Sequence, residues 1–455
     1  MARSGDDRRI SVLSDEKPAI AVVKMGVPLI AGMCIMVLYN LVDTYFIGLL
    51  HDDYQLAAVN LAYPVMMVLI ALSNMVGTGC SSLIARSFGQ GDKRTANHTV
   101  TTGMVLTIAM SVIVATVGMM LLSGIVRGLG AQENTFAHTQ GYVQVLLLGS
   151  LCTMGNYTFG QLLRSEGSVG YSVAGMVVGT LANIALDPLF IFVLGLGCAG
   201  AAIATVLGNA CGMAVSLSFY VRGKTLLRPS RAYIMPTAPI LREIFWVGIP
   251  ATLETLLTSA AFVVNNNLAV AYGELTVAAM GIAQKILSLG SYVYQGFAAG
   301  VQPIMGYNYG AKNYDRMLAV LRAGVLVVSG TELCIMLVCG VFAEQLVAVF
   351  SQSPEVINTG AQVLRALMWI LPFVGATSMS RMSFQAMGKP QHAFVITLVR
   401  QLILYIPLLL LLNRSFGFDG MIWAQPITEL CMMVVSVGLL VRTIRGEQGQ
   451  LQAER

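Results

Sequence analysis

The feature that most limits what this chain can fold into is a succession of apolar stretches divided by short polar breaks. They fall at about 20–50, 55–85, 98–125, 140–163, 170–195 and 199–221. A second series follows at about 242–271, 277–304, 317–343, 359–386, 392–412 and 420–441. A helix that crosses a bilayer needs about 20 mostly apolar residues, so each stretch is long enough to span. Lipid offers no partners to backbone amides, so helices are the expected form. The chain is 56% hydrophobic and only 11% charged, whereas soluble domains run at roughly 25% charged. No part reads as an independent soluble domain. The expected fold is an all-α membrane protein of twelve transmembrane helices.

Lysine and arginine set the expected orientation. With the N-terminus in the cytoplasm, one side holds Arg3, Arg8, Arg9, Lys17 and Lys24, then Arg86, Lys93, Arg94 and Arg164. The same side holds Arg222, Lys224, Arg228, Arg231 and Arg242, then Lys312, Arg316, Lys389 and Arg442. The opposite loops hold only Arg127 and Arg414. That bias requires an even number of spans and puts both termini in the cytoplasm. It also explains the net charge of +5 without nucleic acid as a partner. The first 18 residues read as a charged tail and not as a signal peptide.

The two series of stretches look like repeats. Lys24-Met-Gly-Val-Pro28 opens the first and Trp246-Val-Gly-Ile-Pro250 the second, 222 positions later. Gly79, Gly89 and Gly167 match Gly300, Gly310 and Gly388 at a shift of 221. Six helices is an even number, so the halves share one orientation and form a parallel pseudo-twofold repeat. The expected organisation is a cytoplasmic tail over 1–19, a six-helix lobe over 20–221, a basic cytoplasmic linker over 222–241, a second six-helix lobe over 242–443 and a cytoplasmic tail over 444–455.

An ionisable residue at membrane depth costs about 2.5–3.5 kcal/mol on insertion scales and is a functional hypothesis by default. The candidates are Asp43, Asp187, Glu254, Lys285, Glu332, Arg365, Arg400 and Glu429. Tyr39 and Asp43 are four apart on the first helix, and Asn183 and Asp187 four apart on the fifth, so each pair shares a face. A carboxylate beside amide and hydroxyl oxygens suits a hard monovalent cation or a proton. The alternative is that these groups bind helices together. Glu254 and Lys285 could form an ion pair with no further role. Tyr39, Asn40, Tyr142 and Gln302 are candidates to line a substrate cavity, and Pro28 and Pro250 are candidate bend points. The eight cysteines, from Cys34 to Cys431, lack metal or redox spacing and read as small buried apolar side chains. There is no phosphate-binding Gly-Lys loop, no His-Glu-x-x-His and no Gly-x-Ser-x-Gly, and the four histidines are scattered. An enzyme and a bound cofactor are therefore not expected.

Several pieces, in order, resemble the multidrug and toxic compound extrusion (MATE) transporters. They are Pro28 with Val42-Asp43-Thr-Tyr-Phe-Ile-Gly48, Arg164-Ser-Glu-Gly167, and Asn183-Ile-Ala-Leu-Asp187-Pro188 joined to Gly200-Ala-Ala-Ile-Ala-Thr205. The second half adds Gln302-Pro303-Ile-Met-Gly306-Tyr-Asn308-Tyr-Gly310-Ala-Lys312 and Gln385-Ala-Met-Gly388-Lys-Pro390. The resemblance implies two six-helix lobes and export of small cationic or amphipathic drugs against inward H+ or Na+. It implies a monomer in the cytoplasmic membrane of a bacterium. It assigns Asp43, Asn183, Asp187 and Thr205 to a cation site in the first lobe. Glu254 matches the seventh-helix glutamate of another branch, but that branch's tenth-helix aspartate has no counterpart, since 359–386 holds no acid. A lipid-linked precursor flippase of the same superfamily is the nearest alternative.

Overall fold

The computed structural model describes residues 5–50 and 52–453, and every regular element among them is helical. The first span is α2 (Pro18–Gly48), preceded by a short helix, α1 (Gly5–Ser14), in the charged tail. Then come α3 (Asp53–Gly89), α4 (Lys93–Met120), the short α5 (Leu122–Gly128), and α6 (Glu133–Leu148) with α7 (Ser150–Ser165). The series closes with α8 (Val169–Pro188), a π-helical turn over Leu189–Val193, and α9 (Gly197–Val221).

The second series repeats these lengths. It runs α10 (Ala238–Val270), α11 (Glu274–Gly310), α12 (Tyr314–Val341), the short α13 (Ala343–Ala348), α14 (Pro354–Met368) and α15 (Leu371–Ala386). After α16 (Pro390–Leu398) and a π-helical stretch over Val399–Tyr405 comes α17 (Ile406–Ala453). Non-helical dihedrals at Gly417 divide α17 into the end of one span and a long final one. Joining the broken pairs gives twelve spans among the described residues. The expected fourth and tenth stretches are each two helices. The tenth bends by 44° between α14 and α15.

Turn chemistry follows the repeat. Asp92 caps α4 by accepting from the Thr95 N–H at 3.0 Å, and Asn313 caps α12 by accepting from the Arg316 N–H at 3.2 Å. Just before these caps, Gly91 (φ 78°) and Lys312 (φ 55°) hold equivalent left-handed positions. Lysine carries a Cβ penalty there of about 1–2 kcal/mol, so the turn is imposed by the fold and not by residue preference.

Contacts divide the chain into two compact units. One is Met1–Ile10 with Ala31–Gly248, and the other is Ser11–Ile30 with Ile249–Arg455. One division falls inside α1, and the other two fall inside α2 and α10, within two residues of Pro28 and of Pro250. In the first unit the start of α10 lies on α3, where a Cβ on Gly79 would sit 2.2 Å from the Ile244 carbonyl oxygen. In the second, the start of α2 lies on α11, where a Cβ on Gly26 would sit 2.4 Å from the Phe297 ring.

The connector after α9 is tied down inside the first unit. The buried Glu166 accepts from the Leu227 N–H at 2.9 Å, and Asn97 Oδ1 accepts from the Arg228 N–H at 2.7 Å. All eight cysteines are free. Cys80 and Cys198 are buried as expected, but Cys34, Cys211, Cys334 and Cys431 are exposed. A small thiol is tolerated buried or exposed, so burial does not follow from residue type there.

Candidate functional site

The tightest helix pair in the first unit is α8 with α9, and glycine is the reason. A Cβ on Gly208 would lie 2.7 Å from both the Gly179 carbonyl oxygen and Asn183 Cβ, and one on Gly212 would lie 2.8 Å from the Gly175 carbonyl oxygen. That approach brings Asn183 and Asp187 of α8 against Thr205 of α9. Asn183 Nδ2 donates to Asp187 Oδ1 and to Thr205 Oγ1, at 3.4 Å each. The three residues are 3%, 0% and 5% exposed.

Both contacts are long for an N–H···O bond, which centres near 2.9–3.0 Å. The amide therefore holds the two oxygens only weakly, and Asn183 Oδ1 is itself buried with no hydrogen-bond partner. The result is a carboxylate, an amide oxygen and a hydroxyl within one packed pair. Pro188 and the π-helical turn follow directly.

Asn183 and Thr205 open onto a cavity of about 90 Å³, also lined by Asn156, Arg164, Asn209 and Met66. Asn156 Nδ2 donates to Asn209 Oδ1 at 2.9 Å, Asn209 Nδ2 donates to the Thr205 carbonyl at 3.0 Å, and Arg164 Nη1 donates to Ser172 Oγ at 2.9 Å. Arg164, read from sequence as a charge on the cytoplasmic side, forms part of this wall. Asn156 and Asn209 were not candidates, because an uncharged amide barely disturbs a hydropathy pattern. The side chains of Tyr39, Asn40 and Asp43 lie outside the described residues.

The second unit holds a different interior. Glu254 of α10 is 4% exposed. It accepts from Arg381 Nη1 at 2.6 Å and from Gln385 Nε2 at 3.1 Å, both on α15. The sequence offered Lys285 as its partner. The structure corrects this: Lys285 is exposed, and Arg381 makes the ion pair. A signal for Arg381 existed, since Arg381 and Gln385 are four apart in an apolar stretch. A second pair joins Arg400 Nε to Glu429 Oε1 at 3.3 Å, and Gln401 Nε2 donates to Thr258 Oγ1 at 3.4 Å.

The remaining candidates are dispersed. Tyr142 is 8% exposed, belongs to the buried apolar cluster of the first unit and does not line the cavity. Gln302 is half-buried on α11, with a buried Nε2 that has no hydrogen-bond partner. Pro28 and Pro250 lie inside α2 and α10. Arg365 pairs at the surface with Glu344 at 3.0 Å.

Comparison with known proteins agrees with this architecture. The MatE family model matches residues 28–189 and again 250–411, two equal stretches offset by 222 positions. The multidrug export protein MepA of Staphylococcus saprophyticus is 27% identical over 424 residues, covering 92% of each chain. Among solved structures, the outward-facing conformation of a multidrug resistance MATE family transporter of the MOP superfamily superposes with a TM-score of 0.92. It is 27% identical and covers 97% of this chain and 99% of that one. A MOP superfamily transporter from Pyrococcus furiosus, described as having a binding pocket of reverse polarity that suggests a different function, superposes with a TM-score of 0.90. It is 27% identical and covers 98% and 99%.

Proposed function

Because the chain belongs to the MatE family, we propose that it exports small cationic and amphipathic drugs from a bacterial cell by antiport with H+ or Na+. It is a transporter and not an enzyme, and it sits in a membrane by twelve helical spans. The single observation that carries the coupling part is the buried Asn183–Asp187–Thr205 group beside a polar cavity. An amide oxygen held out of water without a partner, Asn183 Oδ1, beside a buried carboxylate gains most from a small cation or a proton. Asp43, on the first helix, is the fourth member of the proposed site.

Transport runs by alternating access, each six-helix lobe moving as a body, with Pro28 and Pro250 as the bend points. The lobes are proposed as 20–221 and 242–443, joined by the linker 222–241, with both termini in the cytoplasm, although the compact units exchange the first turns of α2 and α10. Coupling binds a cation at Asp187 in the state that releases the drug. A ligand shifts two states only by its differential affinity for them. One monovalent cation crossing 100 mV supplies about 2.3 kcal/mol, which supports roughly a 40-fold gradient of a neutral drug at about 1.4 kcal/mol per tenfold. A singly charged drug cancels that electrical gain in one-for-one exchange, so the ion's concentration gradient then does the work. The protein acts as a monomer without a cofactor.

The test is efflux from proteoliposomes with a proton or a sodium gradient imposed separately. One gradient drives efflux by the wild type. Asp187→Asn and Asp43→Asn both reach the membrane and lose gradient-driven efflux at least tenfold. Undiminished efflux by well-folded Asp187→Asn removes this site from the mechanism. Arg164 on the cavity wall favours the alternative, a lipid-linked precursor flippase with an anionic headgroup. That reading predicts scrambling of an anionic lipid probe and no gradient-driven movement of a cation.

A further inference from the structure

The buried face of α12 runs Met317, Leu321, Gly324, Val328, Glu332 and Met336. It is a packing stripe at helical spacing, interrupted by one acid. Glu332 is 0% exposed, no described side chain bonds to either carboxyl oxygen, and the one group directed at it is the Tyr294 backbone N–H of α11, short of a well-formed hydrogen bond. The equivalent position in the first half, 221 residues earlier, is Ser111, 1% exposed. Its hydroxyl is satisfied by the Ile108 carbonyl of its own helix at 2.8 Å. The same packing place is therefore filled without a charge in one half, so the acid is not needed to build the repeat.

Among the described residues around it, no counter-charge is free to meet it. From α11 the group facing Glu332 is the Tyr294 backbone. On α15, Arg381 is committed to Glu254, and on α17, Glu429 is held by Arg400. On α14 and α13, Arg365 and Glu344 pair with each other at the surface. Two arginines thus balance two carboxylates, and Glu332 is the acid left over among these groups.

An ionised carboxylate buried without a partner is very costly and takes up a proton instead. A sodium ion would need several oxygens at once, as hard cations do. Glu332 offers only its own two, between Val328 and Met336. We propose that Glu332 is a second proton-binding site, in the second half of the chain, that gives up and regains one proton in each transport cycle. The O–H bond breaks to water as a cationic drug binds, the drug's charge replacing the proton's. The O–H bond re-forms when the drug leaves. The inference deepens the antiport reading above and rests on it.

The test uses full-length protein in proteoliposomes, tetraphenylphosphonium as the cation and a pH-sensitive dye. A parallel infrared measurement follows the carboxyl stretch of the protonated acid. In the wild type, cation uptake is accompanied by proton release, and a protonated-carboxyl band disappears. In Glu332→Gln the band is absent and the protons moved per cation fall by one, while expression and thermal stability hold. Glu332→Asp restores both, and it also serves should the glutamine variant fold poorly. An unchanged proton count and band in Glu332→Gln overturns the proposal and leaves efflux standing. A wild type that moves the cation without protons overturns the proposal in favour of sodium coupling. A wild type that exports no cation under either gradient overturns the antiport reading itself, while the infrared band still decides whether Glu332 carries a proton.

Discussion

At the scale of single residues, the two halves treat charge in opposite ways. Asp187 sits among weakly held oxygens, whereas Glu254 is gripped by Arg381 at 2.6 Å and Gln385 at 3.1 Å. Breaking a buried pair by removing one partner leaves an uncompensated charge and costs about 3–5 kcal/mol, although replacing both partners can be neutral. Arg381 is 24% exposed, which places the expected loss near the lower end, about 3 kcal/mol. Glu254→Gln therefore lowers the apparent melting temperature in detergent, and Glu254→Gln with Arg381→Gln recovers most of it. Simple additivity of the two losses would show that the pair is not energetically coupled. Asn183 and Asp187 were legible beforehand because a charge and an amide four residues apart stand out in an apolar run. Arg381 offered the same spacing with Gln385. Asn156 and Asn209 had no such signal, since what marks them is only the cavity they line.

At the scale of elements, the repeat exposes a substitution that sequence patterning alone does not explain. Gly179 and Gly208 make the close approach of α8 to α9, and the residues 221 positions later are Arg400 and Glu429, which form an ion pair. A contact built on missing side chains in one half is built on a charged pair in the other. The glycine version sets the site, because Gly208 touches Asn183 directly. A larger residue there must push α9 away from α8 and carry Thr205 with it. Gly208→Val is expected to reach the membrane in reduced amount and to lose drug binding at least tenfold. Gly438→Ala, where a Cβ meets nothing within 4 Å, behaves as wild type. Drug binding by Gly208→Val equal to that of Gly438→Ala would refute the link between this packing and the site. Helix existence and approximate ends were legible because lipid demands apolar length. The breaks at Gly149 and between α14 and α15 were not, because each lies inside a mostly apolar run and hydropathy carries no trace of a bend.

For the whole molecule, one constraint ties the repeat to the membrane. Twelve spans in two equal sets predict that both termini and the 222–237 connector share one side, and the distribution of basic residues predicts that this side is the cytoplasm. The first set begins with α2, and the second, α10, begins after a connector bearing Arg222, Lys224, Arg228 and Arg231. Between spans, the loops on the other side carry little positive charge: Arg127 in α5 and Arg414 near the Gly417 bend. In a background with the native cysteines replaced, Lys224→Cys and Gln450→Cys are expected to react with a membrane-impermeant maleimide only from the cytoplasmic face. Glu133→Cys, at the start of α6, reacts only from outside. The experiment is decisive because the parallel repeat admits no mixed outcome. Labelling of positions 224 and 450 from opposite faces would require an odd number of spans between them, and six helices in each half could not then share one orientation.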